Sequence, residues 1–281
     1  MPELPEVETM RRGIALVVGA KIRAVVRMPC ERRPLTVSPK GAEFEALQAG
    51  RTITAVERVG KRVVLRLNNG LRTVIEPRMT GLVLLSDPPT PEHLRLEWRL
   101  AGKRGVIRFW DRRGLGVVRV VDDTAFDQFY GPDKVGPDAL TITPDEFQQR
   151  FREGRSPVKV ALLDQTRVAG IGNLYAAEIL HLAGVHPAIP CHRLTEAAWK
   201  RIHAATLSVL EDAVRYEGST LGDGTYRNVL NQDGSYQNHH RVYARAGEAC
   251  PSCKTTTIVR IVQAQRSTFY CPTCQKKSKR S

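Results

Sequence analysis

At 281 residues the chain is long enough for two domains, each with its own core. Lys and Arg number 43 against 29 Asp and Glu, so the formal charge is +14 and the pI near 9.9, which points to a polyanionic partner, nucleic acid foremost. No apolar run approaches the ~18 residues of a membrane helix, the acidic, proline-rich start is unlike a signal peptide, and the six cysteines read as free or metal-bound in a reducing cytoplasm rather than as disulfides.

The chain opens Met1-Pro2-Glu3-Leu4-Pro5-Glu6. With Met1 removed, Pro2 becomes a secondary amine with an α-amino pKa near ~8, neutral and nucleophilic in useful proportion at physiological pH. Its attack on a sugar C1′ would give an iminium ion, and Glu3 stands beside it as general acid or base. The same residues also suit an ordinary helix start, since proline fits a first turn. A helix is predicted over 5–18, with Val7, Met10, Ile14, Val17 and Val18 as its apolar stripe and Gly19 as its stop.

Eight strands are predicted at 21–28, 51–58, 62–68, 71–77, 81–86, 94–100, 104–110 and 115–122, with Asn69-Gly70 as a hairpin turn. This spacing suggests a β-sandwich or barrel. Helical pattern in this half is limited to 5–18, 41–49 and 123–130. Lys61 leads one strand, and Arg112 and Arg113 lie in a turn between strands. By themselves these three are ordinary solvated positions.

Residues 131–144, rich in proline and glycine, read as an interdomain linker. Helices follow at 144–153, 157–165, 173–183 and 195–216. The glycine turn Gly170-Ile171-Gly172-Asn173 could seat a phosphate at a helix N-terminus or be a plain interhelical turn. Residues 218–246 read as a mobile loop. Cys250-Pro-Ser-Cys253 and Cys271-Pro-Thr-Cys274 form two knuckles that suit one structural, tetrahedral zinc, with strands at 258–262 and 266–270 between them. Residues 250–281 hold seven basic side chains and no acidic one, and read as a separate small unit. Cys30 and Cys191 read as ordinary structural residues.

Taken together, these features resemble the formamidopyrimidine-DNA glycosylases, bacterial enzymes that excise 8-oxoguanine and ring-opened purines. The likeness rests on Pro-Glu-Leu-Pro-Glu-Val-Glu-Thr at 2–9, on Lys159-Val-Ala-Leu-Leu-Asp-Gln165 through Gly-Ile-Gly-Asn-Leu-Tyr-Ala-Ala-Glu178, and on Gln265-Arg266 through Gln275. It implies an α+β, two-domain fold. Residues 1–130 would be an eight-stranded β-sandwich with an N-terminal helix and 131–144 a linker. Residues 145–246 would be a helix-two-turn-helix domain with a lesion-capping loop, and 247–281 a zinc finger. It further implies Pro2 as nucleophile, Glu3 as acid and base in sugar-ring opening, and Lys61 as a phosphate contact that helps β-elimination. Arg266 would grip phosphate and serve δ-elimination. His93, Asn173 and Arg155 or Lys159 would hold the DNA backbone, and Met79, Arg113 and Leu115 would plug the gap left by an extruded base. The implied partner is damaged duplex DNA and the implied state a monomer.

Two departures stand out. The family pattern His-Leu-Gly-Met-(Ser/Thr)-Gly is here Glu76-Pro77-Arg78-Met79-Thr80-Gly81, which is expected to place a carboxylate near the phosphate path and to weaken binding unless Arg78 neutralises it. Asp-Pro-Arg-Arg-Phe-Gly is here Asp111-Arg112-Arg113-Gly114-Leu115-Gly116, which replaces a phenylalanine wedge with Leu115. The alternatives are an endonuclease VIII-like enzyme for oxidised pyrimidines or abasic sites, and a non-catalytic damage binder. Leu4 and residues 7–9 favour the purine branch. The joint presence of Pro2, Glu3 and Lys61 argues against a binder.

Overall fold

A computed structural model describes residues 2–30, 33–102, 105–222 and 224–277. Met1, whose removal the chemistry of Pro2 requires, lies outside the described residues, as do Arg104 at the head of one predicted strand and the last four residues. The chain divides into two compact units. One runs to Lys134 and takes in Val214–Gln237; the other holds Val135–Ala213 and the segment from Asn238 onward.

The first unit starts with helix α1 (Leu4–Gly13), capped by a Glu3/Glu6 capping box with a proline in its first turn. The helix is shorter than the 5–18 predicted, and a 3₁₀ turn at Ala15–Val17 follows it. The helix's last residue, Gly13, is held to glycine by packing, because a Cβ there would lie 2.3 Å from Val229. Val7, Met10, Ile14 and Val17 are buried as the stripe requires, while Val18 is exposed.

All eight predicted strands form: β1 (Ile22–Arg27), β3 (Ile53–Val59), β4 (Arg62–Leu67), β5 (Arg72–Glu76), β6 (Gly81–Leu84), β7 (Leu94–Leu100), β8 (Val106–Asp111) and β9 (Val117–Val121). A ninth among the described residues, β2 (Thr36–Ser38), corrects the eight-stranded expectation. Three residues are too few to show alternation, and its parallel pairing with β9 comes from long-range closure. The strands make a four-stranded sheet ordered β1-β7-β8-β6 and a five-stranded sheet ordered β2-β9-β5-β4-β3. Asn69-Gly70 makes the β4–β5 turn, with Gly70 at φ 82. The core between the sheets gathers Leu65, Leu82, Trp98 and Phe109 with Val7 and Met10 of α1, and Tyr226 and Val229 join it. Short helices α2 (Glu43–Ala46) and α3 (Asp123–Tyr130) complete the unit.

The second unit contains α4 (Pro144–Phe151), α5 (Val158–Ala161), α6 (Asn173–Leu182) and α7 (Glu196–Arg215), the last crossing into the first unit at Val214. Phe151 stacks on Trp199 at 5.6 Å, and Phe147 meets both. Of the expected linker 131–144, residues from Val135 onward belong to this unit, with Val135, Ala139 and Ile142 buried. The hairpin β10 (Val259–Gln263) and β11 (Arg266–Tyr270) turns on Ala264-Gln265, both at positive φ. The finger is no separate unit: Cys250, Ile258, Phe269 and Cys271 share a core with Ala177 of α6 and Val242. No helix among the described residues is long and apolar enough to cross a membrane.

Candidate active site

Pro2 and Glu3 are both buried at the head of α1. Glu6 fixes this start from two sides. Its Oε2 accepts from the Glu3 backbone N–H at 2.8 Å, and its Oε1 accepts from the Ser219 N–H at 2.9 Å. Ser219, at the start of the 218–246 stretch expected as a mobile loop, is therefore tied to the residues that carry the candidate nucleophile. One turn on, Glu8 accepts from Arg11, Arg12 and Arg58, and Arg58 also donates to the Gly60 carbonyl at 3.1 Å. Burial pushes the Glu8 carboxyl up, but the three arginine hydrogen bonds outweigh it and hold the pKa at about 2. Val59 pairs with Arg62, so Lys61 sits with Gly60 in a two-residue turn ahead of β4 rather than within a strand. Arg58 thus links α1 to the turn that presents Lys61.

The Met79 and Leu115 loops form a second cluster. Met79 is exposed and Leu115 half-buried. The wholly buried Asp111 carboxylate accepts from the Thr80 hydroxyl, from the Arg113 N–H at 3.2 Å and from the Gly116 N–H at 2.7 Å. The Arg113 N–H also reaches Thr80 Oγ1 at 3.0 Å. Buried Arg95 donates to the Asp111 carbonyl at 2.8 Å and to the Arg33 carbonyl, and its guanidinium lies against Cys30. His93, edge-on to Trp110, and Arg113 line one cavity of about 710 Å³ with Arg33, Arg95 and Arg112. The structure therefore brings together two of the expected DNA contacts, and Asp111 is the residue that sequence reasoning missed. The opening Asp of its motif was the available signal.

Glu76 meets the stated exception, since Arg78 and two further arginines neutralise it. It is buried, and its carboxylate meets Arg62 at 3.2 Å, Arg78 at 3.4 Å, Arg119, and the Tyr130 hydroxyl at 2.9 Å. Burial raises its pKa, and the attraction of Arg62 with the Tyr130, Arg78 and Arg119 contacts more than reverses this, so the group stays ionised. It is a neutralised anchor, not a bare charge that repels phosphate.

In the second unit the glycine turn is stitched by Gln165, which donates to the Ile171 carbonyl at 2.8 Å and accepts from the Gly170 N–H at 3.0 Å. Lys159 is fully buried, and its Nζ donates to Asn173 Oδ1 at 2.5 Å; Arg155 is exposed. Asn173 Nδ2 donates in turn to the Ser267 carbonyl at 3.1 Å, one residue after exposed Arg266 at the hairpin turn. Further along α6, the buried Glu178 accepts from the backbone N–H groups of Arg241, Val242 and Tyr243. His181 Nε2 lies 3.5 Å from Cys250 Sγ.

The four thiols of Cys250, Cys253, Cys271 and Cys274 lie within 4.8 Å of one another. Cys250 and Cys274 are 3.8 Å apart and Cys253 and Cys271 3.7 Å. Zn–S bonds of ~2.3 Å in a tetrahedron set neighbouring sulfurs ~3.8 Å apart, so this donor set fits one structural zinc.

Fold and site define a zinc-finger protein with a β-sandwich unit headed by a proline and a glutamate, and a helical unit with a glycine turn. Three family models match it in order: the formamidopyrimidine-DNA glycosylase N-terminal domain over residues 1–118, the formamidopyrimidine-DNA glycosylase H2TH domain over 133–224, and the zinc finger found in FPG and IleRS over 247–277. The formamidopyrimidine-DNA glycosylase of Chloroflexus aurantiacus is 41% identical, covering 98% of each chain, and that of Streptococcus pyogenes serotype M3 is 36% identical, covering 99% of each. The crystal structure of MutM (Fpg) from Thermus thermophilus superposes with a TM-score of 0.86 at 37% identity, covering 99% of this chain and 100% of that one. A Lactococcus lactis Fpg mutant in complex with Fapy-dG DNA gives a TM-score of 0.87 at 31% identity, covering 98% and 100%. The chain belongs to the formamidopyrimidine-DNA glycosylase family.

Proposed function

We propose that this protein is a bifunctional DNA glycosylase and AP lyase of base excision repair that acts on oxidised purines in duplex DNA. The observation that carries the reading is the N-terminal Pro2-Glu3 pair, fixed at the head of α1 by the capping box, in a chain of this family. The curated relatives are named formamidopyrimidine-DNA glycosylases, which supports the purine branch over the endonuclease VIII-like alternative.

The Pro2 nitrogen lone pair attacks C1′ of the extruded nucleotide. The glycosidic bond breaks, its electrons leave with the base, and the base takes up a proton. The ring oxygen O4′ departs from C1′ with a proton from Glu3, leaving an iminium ion. The iminium acidifies the C2′ proton, so elimination expels the 3′ phosphate and then the 5′ phosphate. Lys61 and Arg266 hold those phosphates as cations. Met79, Arg113 and Leu115 fill the vacated step, since a base inside the stack cannot be reached at C1′. His93, Arg155 and Asn173 contact the DNA backbone, and buried Lys159 acts by orienting Asn173. Residues 1–130 carry the catalytic chemistry, 131–144 connect, the segment 218–237 that belongs to the first unit caps the lesion, and 145–213 with the finger packed on them bind DNA. The protein works as a monomer in the cytoplasm, on the chromosome.

Borohydride trapping tests the reading. Reduction in the presence of 8-oxoguanine duplex should leave a covalent adduct that maps to Pro2. An uncleaved Met1 or an N-terminal tag should abolish it, and normal trapping by a tagged protein would exclude Pro2 as the nucleophile.

A further inference from the structure

Arg78 occupies a position that its backbone disfavours. Its φ is 55°, in the left-handed region where a side chain costs free energy and glycine is the usual occupant. It sits in the tight turn between β5 and β6, closed by the Gly81 N–H bonding the Pro77 carbonyl at 2.9 Å. Its guanidinium is 54% exposed and touches Glu76 at 3.4 Å. A 3.4 Å pair whose cation is half in water contributes little to folding, so stability does not account for an arginine here. Nor does charge balance. The buried Glu76 carboxylate already has Arg62 and Arg119, with Tyr130 as a further donor, so Arg78 is the surplus cation of the group.

The surplus cation has one notable neighbour. Met79, the next residue, is exposed on the same turn, and the Thr80–Asp111 contact joins that turn to the loop of Arg113 and Leu115. An exposed guanidinium that meets a carboxylate already held by Arg62, Arg119 and Tyr130 has N–H groups left to offer a ligand. A phosphodiester is the complementary anion, since its paired oxygens match the guanidinium fork.

We propose that Arg78, steadied by Glu76, is an added DNA-backbone contact that grips a phosphate beside the base step plugged by Met79. The inference rests on the DNA-repair reading above and deepens it. Arg78 is a binding residue and Glu76 a positioning residue that steadies it.

The test is equilibrium binding of the full-length, zinc-loaded protein to a duplex carrying a tetrahydrofuran abasic analogue, measured across salt concentration, with thermal melting in parallel. Arg78→Gly removes both the cation and the backbone strain. It should weaken binding several-fold and lower the slope of log K against log salt by about 0.9, one phosphate contact, while melting no lower than the parent. Arg78→Lys should retain most of the slope. An Arg78→Gly protein with parental affinity and slope would overturn the proposal while leaving the glycosylase reading intact. A parent protein with no salt-dependent duplex binding would overturn both.

Discussion

The Thr80 hydroxyl donates to the buried Asp111 carboxylate, and this one contact joins the turn that presents Met79 to the loop that presents Arg113 and Leu115. The backbone N–H groups of Arg113 and Gly116 converge on the same carboxylate. The three side chains proposed above to fill one gap in a duplex therefore share one support, which sets the spacing of their loops.

Asp111→Asn should uncouple that support. The amide turns one acceptor oxygen into a donor facing buried donors, at a cost of roughly 1–3 kcal/mol for an unmet buried group. Urea unfolding should show the loss. Glycosylase turnover should fall more than affinity for an abasic analogue, because extrusion needs the plug and an abasic site needs less of it. Equal losses on both would show that Asp111 serves folding alone.

Leu115→Phe addresses the altered wedge. A phenylalanine stacks on a neighbouring base, worth on the order of 1–3 kcal/mol, whereas leucine only fills volume. The parent protein should handle easily unstacked lesions, such as abasic sites and hydantoins, better than 8-oxoguanine. The substitution should raise 8-oxoguanine excision with little change at abasic sites. A parent already fastest on 8-oxoguanine opposite cytosine, or equal gains on both substrates, would mark Leu115 as a neutral replacement.

Glu8 supplies a pH signature. Its folded pKa lies at about 2, below the model-peptide value of 4.5. A depressed carboxylate stabilises above its unfolded pKa, and that contribution fades as pH falls from about 4.5 toward 2. With partial solvent screening it amounts to on the order of 1–2 kcal/mol. Glu8→Gln should lower the urea midpoint at pH 7, and the difference from the parent should vanish near pH 2. A constant difference across that range would remove Glu8 as its source.

Zinc removal should reach beyond the finger. Cys250 and Cys271 share a core with Ala177 of α6, and Asn173 at the start of that helix bonds Ser267 of the hairpin. Chelation or Cys271→Ser should abolish duplex binding and speed hydrogen exchange in 173–182, while 53–76 of the sandwich stays protected. Unchanged exchange in α6 would mean that the helix stands without the finger. Elemental analysis should find one zinc per chain.

The features of this protein that are local were readable. The Pro2-Glu3 start of α1, the two cysteine knuckles, the Asn69-Gly70 turn and eight alternating or apolar strands each declare themselves within a few residues, because side-chain pattern, turn geometry and ligand spacing are short-range properties. What pairs across the chain was not readable. The Glu6 bond to Ser219 spans 213 positions, the Asn173 bond to Ser267 spans 94 and the Glu178 bond to Val242 spans 64. The charge count could not separate exposed Arg155 from Lys159, which is buried and committed to Asn173. Nor could it reveal that Glu76, a bare carboxylate in one dimension, lies among Arg62, Arg78 and Arg119. Burial and ion pairing depend on which distant elements close over a residue, so only the tertiary structure decided which charges are free to meet DNA and which hold the protein together.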